Sequence, residues 1–379
     1  MSEQLLNPLT LLRALFRPLD PQLVLLVGAL MGYSYVLMMS ASPARVPALE
    51  MHFAVALAAM WVVALVPAKR LLQLSAPLYA LGVFLLVGVL LFGEVSKGAK
   101  RWLDLGVVRI QPSELMKIAV PMMLAWYFQR REAVRFWQFM AGTALLAIPL
   151  GLIVVQPDLG TSLLVASAGF YVIYFAGLPW KLIVPFFVLG VLGIGAIVGF
   201  GDVLCQPELD WHVLREYQKQ RVCTLLDPTQ DPLGKGFHVI QSTIAIGSGG
   251  LWGKGWLEGT QTHLAFIPER HTDFIFSVLA EELGLIGALV LLLVYVLLIV
   301  RGFVIAARAI NPSQRLLAGA ITMIFFIYAF VNMGMVSGIL PVVGVPLPFI
   351  SYGGTALVTL CIGVGILMSI ERCRVAARE

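Results

Sequence analysis

Long apolar runs alternate with short polar connections along the chain, and this pattern predicts the fold. Each run is close to the ~20 residues that a helix needs to cross a bilayer. We therefore predict an all-α, polytopic membrane protein that forms a single integral membrane domain over residues 1–379. The ten predicted transmembrane helices span residues 23–40, 51–67, 76–93, 111–128, 138–155, 160–177, 181–200, 273–300, 315–337 and 355–370.

Composition supports the membrane assignment and narrows the partners. Of the 379 residues, 59 % are hydrophobic and 12 % are charged, whereas about a quarter of a soluble domain is charged. The net charge of +5 is better explained by basic loops on the inner side of a membrane than by a nucleic-acid-binding surface. The membrane is thus an expected partner, and nucleic acid is not.

The basic residues of the short connections set the predicted orientation. Most of them lie on the side of the N-terminus, which makes that side cytoplasmic, and the even number of spans places both termini there. Residues 1–21 place four apolar side chains on one helical face beside two arginines, which predicts a cytoplasmic interfacial segment. Residues 371–379 form the predicted cytoplasmic tail.

Residues 201–272 form the one predicted large extracytoplasmic loop. Its glycine-rich run from Gly247 to Gly255 lets the backbone turn sharply or approach another surface closely. Cys205 and Cys223 share this loop and show no CxxC spacing, so a metal site is not expected there. Whether they form a disulfide stays open, because that depends on an oxidising compartment.

The predicted outer connection at residues 94–110 is basic, against the usual bias of outer loops. It carries Lys97, Lys100, Arg101 and Arg109 against two acidic residues. An anionic ligand, such as a phosphate-bearing lipid headgroup, would explain this excess of cations. The alternative is an outer loop that is simply basic.

Asp273 lies where a polar connection turns into an apolar helix. Thr272 is a suitable N-cap, which would place Asp273 in the first turn, at the water boundary. The positive end of the helix dipole favours the ionised carboxylate. Such a group can act as a base or bind a cation. The alternative is that Asp273 only caps the helix, since first-turn aspartates are common.

Other charged residues in or beside the spans are costly unless they are paired or functional. Glu114 and Lys117 lie three residues apart on one helix face and can pair. Asp158 lies at an outer turn, where it either caps the sixth span or joins a site. Glu281 and Glu282 are expected to find structural partners in neighbouring helices.

The last outer connection, residues 341–355, is apolar yet rich in proline and glycine. Irregular backbone at membrane depth is tolerated only where it packs in protein or lines a cavity. Asn332, in the preceding span, is expected to hydrogen-bond between helices. Together with the basic connection, the Asp158 turn and Asp273, this pattern predicts an outward-facing site for an anionic, lipid-linked ligand.

Six sequence motifs occur in order along essentially the whole chain. They are Lys100-Arg101-Trp102, Gln111-Pro-Ser-Glu-Leu-Met-Lys117, Gln156-Pro-Asp-Leu-Gly-Thr161, Pro268-Glu-Arg-His-Thr-Asp-Phe-Ile-Phe276, Glu281-Glu-Leu-Gly284 and Pro348-Phe-Ile-Ser-Tyr-Gly-Gly354. With the ten spans, they resemble the SEDS family (shape, elongation, division and sporulation). A short N-terminus, Pro-Glu-Arg before His271 and the lack of a lysine before Ile350 favour its elongation branch over its division branch.

This resemblance implies a peptidoglycan glycosyltransferase of the cytoplasmic (inner) membrane. Its substrate would be lipid II, an undecaprenyl-pyrophosphoryl disaccharide-pentapeptide, polymerised on the outer face. Its partners would be a class B penicillin-binding protein, a transpeptidase of the PBP2 type, and other elongasome proteins. The family's essential aspartate falls on Asp273, and its turn aspartate falls on Asp158. Its intramembrane pair falls on Glu114 and Lys117.

The motif before Asp273 adds two candidate substrate contacts, Glu269 and Arg270. A nearby position departs from the family pattern. Relatives, notably of the division type, often carry an acidic residue where this chain has Ala265. This departure puts in doubt any role for a second outer carboxylate at that position.

The implied reaction displaces an α-linked pyrophosphate by a sugar 4-hydroxyl and gives a β-1,4 link. Asp273 suits the base that this inversion requires. The four cations of the 94–110 connection suit a clamp on the pyrophosphate. A divalent cation, Mg²⁺ or Mn²⁺, is a candidate cofactor, because such ions bridge carboxylates and phosphates. Asp273 would in that case be a ligand of the metal.

Three other functions remain open at this stage. A lipid II flippase would also have many spans and intramembrane charges, although the polar groups here crowd the outward face and no internal repeat is evident. A scaffold that only holds a transpeptidase would not need the Asp273 carboxylate. A division-type polymerase of the same family would share the chemistry.

Overall fold

A computed structural model describes residues 19–96, 99–104, 109–129, 136–206, 216–230, 234–264 and 269–376. Nearly all of the predicted interfacial segment, residues 1–21, therefore lies outside the described residues, as does Lys97. The helices are α1 Pro21–Ala41, α2 Val46–Leu65, α3 Ala68–Gln73, α4 Ser75–Phe92, α5 Pro112–Phe128, α6 Phe136–Val155, α7 Leu159–Phe175, α8 Trp180–Gly199, α9 Gly201–Leu204, α10 Glu216–Leu226, α11 Lys235–Gly249, α12 Thr260–His263, α13 Ile275–Arg308, α14 Pro312–Val336 and α15 Gly354–Ala376.

Each of the ten predicted spans coincides with one of these helices. In the described part of the chain, eight helices are long and apolar enough to cross a membrane, judged by length and composition. They are α1, α2, α4, α6, α8, α13, α14 and α15. The two other predicted spans are α5 and α7, with 17 residues each. The prediction of an all-α, polytopic membrane protein is confirmed.

The last helix is longer than predicted. It continues to position 376, so most of the predicted tail, residues 371–379, is helical. The reason is that its charged residues are paired inside the bundle. Glu371 accepts hydrogen bonds from Arg374, at 2.6 Å, and from Arg301 of α13, at 3.3 Å. Arg301 also pairs with Asp20, the N-cap of α1.

The basic connection at residues 94–110 contains a small antiparallel sheet that the sequence analysis did not predict. Its strands are β1 Glu94–Ser96, β2 Ala99–Asp104 and β3 Arg109–Ile110, in the order β1-β2-β3. In the pairing of β2 with β3, Asp104 lies opposite Arg109. The sheet therefore holds Arg101 and Arg109 on adjacent strands.

Part of the long outer segment, residues 201–272, does not form a separate extramembrane loop. Helix α11 packs along α13, and the chain that follows it reaches the middle of that helix. There α13 is broken at Gly284, whose φ is 66° and ψ is −162°. The glycine-rich run thus makes the close backbone approach that its composition predicts.

This break interrupts the hydrogen-bond ladder of α13, and the glycine-rich run replaces the missing partners. An unsatisfied backbone group in hydrocarbon costs several kcal/mol, so a broken membrane helix needs such replacements. Two N–H groups of the run donate to α13 and two of its carbonyls accept from α13. The four bonds are Lys254 N to Glu281 O at 3.0 Å, Gly255 N to Glu282 O at 3.0 Å, Leu285 N to Gly250 O at 3.0 Å and Ile286 N to Leu251 O at 3.1 Å.

Side chains strengthen the same contact. The Glu281 carboxylate is fully buried and accepts a hydrogen bond from Lys254 Nζ at 2.7 Å. It also accepts from the backbone N–H of Gln261 at 2.9 Å and from the Thr262 hydroxyl at 3.1 Å. The partners of Glu281 were expected in neighbouring transmembrane helices, but they lie in the long segment. Glu282 accepts from the Ser40 hydroxyl of α1, as expected for a partner in a neighbouring helix.

The question of the two loop cysteines is answered by a disulfide. Cys205 and Cys223 are bonded to each other. The two remaining cysteines, Cys361 and Cys373, are free thiols.

The close approach at Gly284 leads to a stability prediction. A Cβ atom at Gly253 would lie 2.1 Å from the Glu282 carbonyl oxygen, and the φ of Gly253 is 81°. We expect Gly253→Ala to destabilise the fold by at least about 1–3 kcal/mol. Thermal unfolding of the purified protein in detergent measures this. Gly151→Ala is the matched control, because nothing lies within 4 Å of its added methyl group. Equal unfolding temperatures for both variants would contradict the proposed close packing.

Candidate active site

A cavity of about 700 Å³ lies where several predicted site elements meet. Its walls come from the small sheet, α5, α7, the long segment and the connections before α13 and α15. Most of the predicted site residues that the structure describes line it. These are Arg101, Arg109, Glu114, Lys117, Asp158, Glu269 and Asp273.

Asp273 lies in a turn before α13 and is half-buried. The prediction that Thr272 is the N-cap and that Asp273 lies in the first helical turn is wrong. The helix begins at Ile275, and Phe274 is at the N-cap without a side-chain capping bond. The turn over residues 269–274 is stabilised by other bonds, which delays the start of the helix. The Thr272 hydroxyl, for example, donates to a carboxylate oxygen of Glu269 at 3.0 Å.

The turn over residues 269–274 is held in place by hydrogen bonds to three of its consecutive backbone carbonyls. Each donor lies outside the turn. Two donors come from the connection before α15 and one from α14. The bonds are Tyr352 N to His271 O at 2.9 Å, Ser351 Oγ to Thr272 O at 2.6 Å and Asn332 Nδ2 to Asp273 O at 2.8 Å. The backbone of Asp273 is therefore fixed on one side, while its carboxylate lines the cavity.

Asn332 joins the two connections that frame the carboxylate. Its Nδ2 also donates to the Val345 carbonyl at 2.7 Å. It thus bonds two loop carbonyls, whereas the sequence analysis expected a bond between helices. A Cβ atom at Gly344 would lie 3.3 Å from Asp273 Oδ2, and the φ of Gly344 is 74°. Residues 342–346, 352 and 353 therefore line the cavity as irregular backbone, as predicted.

Arg101 is oriented by the turn before α7. Its guanidinium donates to the Pro157 carbonyl at 2.9 Å, and its Nε lies 3.9 Å from Asp158 Oδ2. Asp158 is also the N-cap of α7 and accepts from Thr161 N at 3.2 Å. Gln111 Nε2 donates to the same carboxylate at 3.2 Å. The capping role of Asp158 is confirmed, and the same side chain holds Arg101 at the cavity.

The structure describes the other predicted cations to different extents. Arg109 is exposed on β3 and lines the cavity. Lys100 lies in β2, but its side chain is outside the described part of the structure, and so is Lys97 as a whole. The geometry of the predicted clamp therefore rests on Arg101 and Arg109.

Glu114 and Lys117 form a buried ion pair in α5, and the predicted pairing is confirmed. Lys117 Nζ lies 2.5 Å from Glu114 Oε1. It also donates to the Tyr328 hydroxyl of α14 and lies 4.9 Å from the centre of that ring. Glu114 Oε2 has no hydrogen-bond partner among the described residues. This oxygen is itself buried.

Glu269 and Arg270, the two charged residues of the Pro-Glu-Arg motif, make contacts in different places. Glu269 lines the cavity, with a φ of 52°. Arg270 is not among the lining residues and donates to two backbone carbonyls elsewhere. One is Ala41 O at the end of α1, at 2.8 Å, and the other is Thr262 O in the long segment. Arg270 therefore ties the Asp273 turn to both elements.

Two further cavity residues, Arg221 of α10 and His238 of α11, are not among the site residues predicted from the sequence. The His238 ring lies 6.0 Å from the ring of Phe274, which follows Asp273 in the chain. Arg221 belongs to a polar run that stands out in the sequence. Its place on the cavity wall depends on how the long segment packs, which residue types alone do not reveal.

A metal site is not formed by the protein alone in the described ranges. They contain no cluster of three or more His, Cys, Asp or Glu side chains that could hold an ion. Asp273 could supply only one carboxylate to a cation, so the remaining ligands would come from a bound phosphate group and water.

Comparisons with known proteins agree with this architecture. Residues 19–375 match the FTSW_RODA_SPOVE family profile, described as cell cycle protein. The chain is 51 % identical over 362 residues to peptidoglycan glycosyltransferase MrdB of Escherichia coli K12, which covers 94 % of each protein.

Two solved structures are also similar. A chain from a structure described as "Structural coordination of polymerization and crosslinking by a peptidoglycan synthase complex" has a TM-score of 0.78 and 36 % identity, covering 94 % of this chain and 98 % of that one. The rod shape determining protein RodA of Thermus thermophilus has a TM-score of 0.69 and 30 % identity, covering 94 % of this chain and 97 % of that one.

The buried pair leads to a prediction for stability. Lys117→Met leaves the Glu114 carboxylate buried without its cation, and breaking such a pair costs about 3–5 kcal/mol. We expect Glu114→Gln combined with Lys117→Met to recover much of that loss, because no charge is then buried alone. Thermal unfolding of the single and double variants measures the coupling. Additive losses would show that the two side chains do not act as a pair.

Proposed function

The chain belongs to the FtsW/RodA/SpoVE family, here called SEDS, and from this premise we propose that it is a peptidoglycan glycosyltransferase of cell elongation. The observation that carries this function is the 51 % identity to MrdB over 94 % of both chains. The polymerised substrate is lipid II, and the products are β-1,4-linked glycan strands that maintain rod shape. The similarity to a rod shape determining protein supports the elongation role.

The chain is a multi-pass membrane protein, and we propose that it lies in the cytoplasmic (inner) membrane with both termini in the cytoplasm. Ten helices at the predicted spans return the chain to its starting side. In this orientation the 94–110 connection and the 201–272 segment face outward. The Cys205–Cys223 bond supports the orientation, because disulfides persist in oxidising compartments outside the cytoplasm.

The partner is a class B penicillin-binding protein, a transpeptidase of the PBP2 type. A structurally similar chain belongs to a synthase complex that coordinates polymerisation with crosslinking. The glycan that leaves this cavity would be the substrate of such a crosslinking enzyme. Other elongasome proteins complete the proposed assembly.

In the proposed mechanism, Asp273 is the general base. The acceptor 4-hydroxyl attacks C1 of the donor sugar, and its proton passes to the Asp273 carboxylate. The bond from C1 to the phosphate oxygen breaks, the diphosphate leaves with the electron pair, and the configuration at C1 inverts. The three carbonyl bonds behind the Asp273 turn support this role, since they fix the backbone that carries the carboxylate before substrate binds.

The leaving diphosphate meets the cations of the small sheet. Arg101 and Arg109 line the same cavity as Asp273 and can donate charge-assisted hydrogen bonds to phosphate oxygens. Lys100 and Lys97 extend this proposed clamp. Asp158 holds the Arg101 guanidinium in place and thereby reduces the ordering that binding requires.

Glu269 and the Glu114–Lys117 pair are the remaining proposed contacts. Glu269 presents acceptors that suit sugar hydroxyls or amides, and the Glu114–Lys117 pair lines the same cavity. Arg270, which bonds backbone carbonyls, acts by holding the turn in place.

A divalent cation, Mg²⁺ or Mn²⁺, is the proposed cofactor to be tested. Asp273 and the diphosphate would share it, and it would neutralise charge on the leaving group. Full polymerisation in excess chelator would leave Asp273 with the role of base alone.

The two rival functions make different demands on the cavity. A flippase needs a site that opens to both sides, whereas this cavity is lined by connections, by the long segment and by the first two turns of α5 and α7. A scaffold has no use for a carboxylate that lines one cavity together with several cations. Glycan formation by the purified chain separates both rivals from the proposed polymerase.

We expect Asp273→Asn to lower the rate of glycan formation from purified lipid II by about 10²–10⁴-fold, the usual contribution of a general base. Gel analysis of the polymer measures this. Glu258→Gln is the control, because Glu258 is an exposed carboxylate of the long segment outside the cavity. A near-parental rate for Asp273→Asn would refute the base assignment.

We expect Arg101→Ala to raise the apparent KM for lipid II by about tenfold or more, since a charge-assisted hydrogen bond contributes about 1.5–3 kcal/mol. Lys69→Ala, an exposed cation at the opposite end of the bundle, should leave it unchanged. The measurement is the polymerisation rate at increasing lipid II. An unchanged KM for Arg101→Ala would remove this residue from the clamp.

A further inference from the structure

Arg221 brings a cation to the cavity from an element that the proposed clamp does not use. It lies on α10, in the long segment, whereas Arg101 and Arg109 lie on the small sheet. All three line the same cavity. Arg221 also lines a smaller neighbouring space with Val239 of α11 and Pro341. Its helix is thus packed between α11 and the connection before α15.

Helix α10 is attached to the end of α9 by three contacts. The first is the Cys205–Cys223 disulfide, which joins α10 two residues beyond Arg221. The second is a hydrogen bond from the Lys219 ammonium to the Gln206 carbonyl at 2.9 Å. The third is packing at the end of α10, where a Cβ atom at Gly201 would lie 2.9 Å from Leu226 Cδ1. Lys219 is buried, whereas the two cysteines are half-buried.

We propose that Arg221 binds the anionic diphosphate of the substrate and that the Cys205–Cys223 disulfide positions it. This inference rests on the proposed function and adds a residue and a covalent tie to the same site. The position of Cys223 on the cavity-lining helix carries the argument. A covalent tie there limits how α10 can shift and rotate, and with it the direction of Arg221.

The tie makes substrate binding sensitive to thiol reductants. A dithiol reductant gives two electrons to the disulfide, the S–S bond breaks, and two thiols form while the reductant becomes a disulfide. Helix α10 then keeps only its non-covalent contacts. Arg221 samples more orientations, and ordering it again on binding costs affinity.

A bond that only stabilises the long segment would behave differently. Its removal would lower the unfolding temperature and leave the KM for lipid II unchanged. The effects of disulfide loss and of an Arg221 substitution on the KM would also multiply, since independent sites contribute additively to free energy. A positioning role requires the two effects to overlap, because without the Arg221 guanidinium there is nothing left to position.

The test uses the purified full chain with Cys361→Ser and Cys373→Ser as background, so that the disulfide holds the only remaining cysteines. Four proteins are compared in this background: the background itself, Arg221→Ala, Cys205→Ser with Cys223→Ser, and all three substitutions together. Polymerisation is measured against lipid II concentration, with and without dithiothreitol. Unfolding temperatures confirm that each protein is folded. Arg308→Ala, an exposed arginine at the other end of α13, is the matched control.

We expect Arg221→Ala to raise the KM about tenfold and the loss of the disulfide to raise it several-fold in the same direction. The triple variant should match Arg221→Ala, and dithiothreitol should raise the KM only where the disulfide and Arg221 are both present. An unchanged KM in Arg221→Ala, or multiplied effects in the triple variant, would overturn the proposal. A background protein that makes no glycan would instead refute the proposed function.

If the cysteine variants fail to fold, reduction of the folded background protein decides the question. A reduced protein with full unfolding stability and an unchanged KM would overturn the positioning role of the disulfide.

Discussion

The structure depends on one requirement, that every backbone N–H and C=O group at membrane depth finds a partner within the protein. A regular helix meets it internally, but the Asp273 turn and the break at Gly284 cannot. At Gly284 the glycine-rich run of the long segment supplies four backbone partners. At the turn, Asn332, Ser351 and Tyr352 supply three more. The irregular backbone that presents the carboxylate is therefore fixed by bonds that the membrane environment makes costly to break.

Charge in the cavity follows a related rule. Four of the buried or partly buried charged side chains in the cavity are paired with an opposite charge, which lowers the cost of holding an ion in a poorly solvated place. Asp158 faces Arg101, and Glu114 faces Lys117. In each pair, one side chain is only partly used by its partner. Arg101 keeps 27 % of its side chain exposed, and one oxygen of Glu114 has no hydrogen-bond partner among the described residues. A substrate can therefore reach the exposed part of Arg101 without first breaking its pair with Asp158.

The sequence predicted the helices well because hydrophobic length is the main condition for crossing a bilayer. All ten spans and the Glu114–Lys117 pair follow from local spacing. Other features depend on contacts between distant residues. The strands of the basic connection are two to six residues long, too short for a periodic signal. The start of α13 was misplaced because Thr272 fits an N-cap locally, whereas bonds from other connections keep residues 269–274 in turns.

The backbone hydrogen bonds between the glycine-rich run and α13 restrict how the length of this run can change during evolution. Outer connections usually tolerate inserted or deleted residues, because few bonds depend on their length. Here the stretch from Gly250 to Gly255 is bonded to the stretch of α13 from Glu281 to Ile286, which has the same number of residues. Adding or removing one residue within this stretch would shift its donors and acceptors away from their partners in α13 and would damage a transmembrane helix. Length variation should therefore be absent from this stretch, although it lies within the longest connection of the chain.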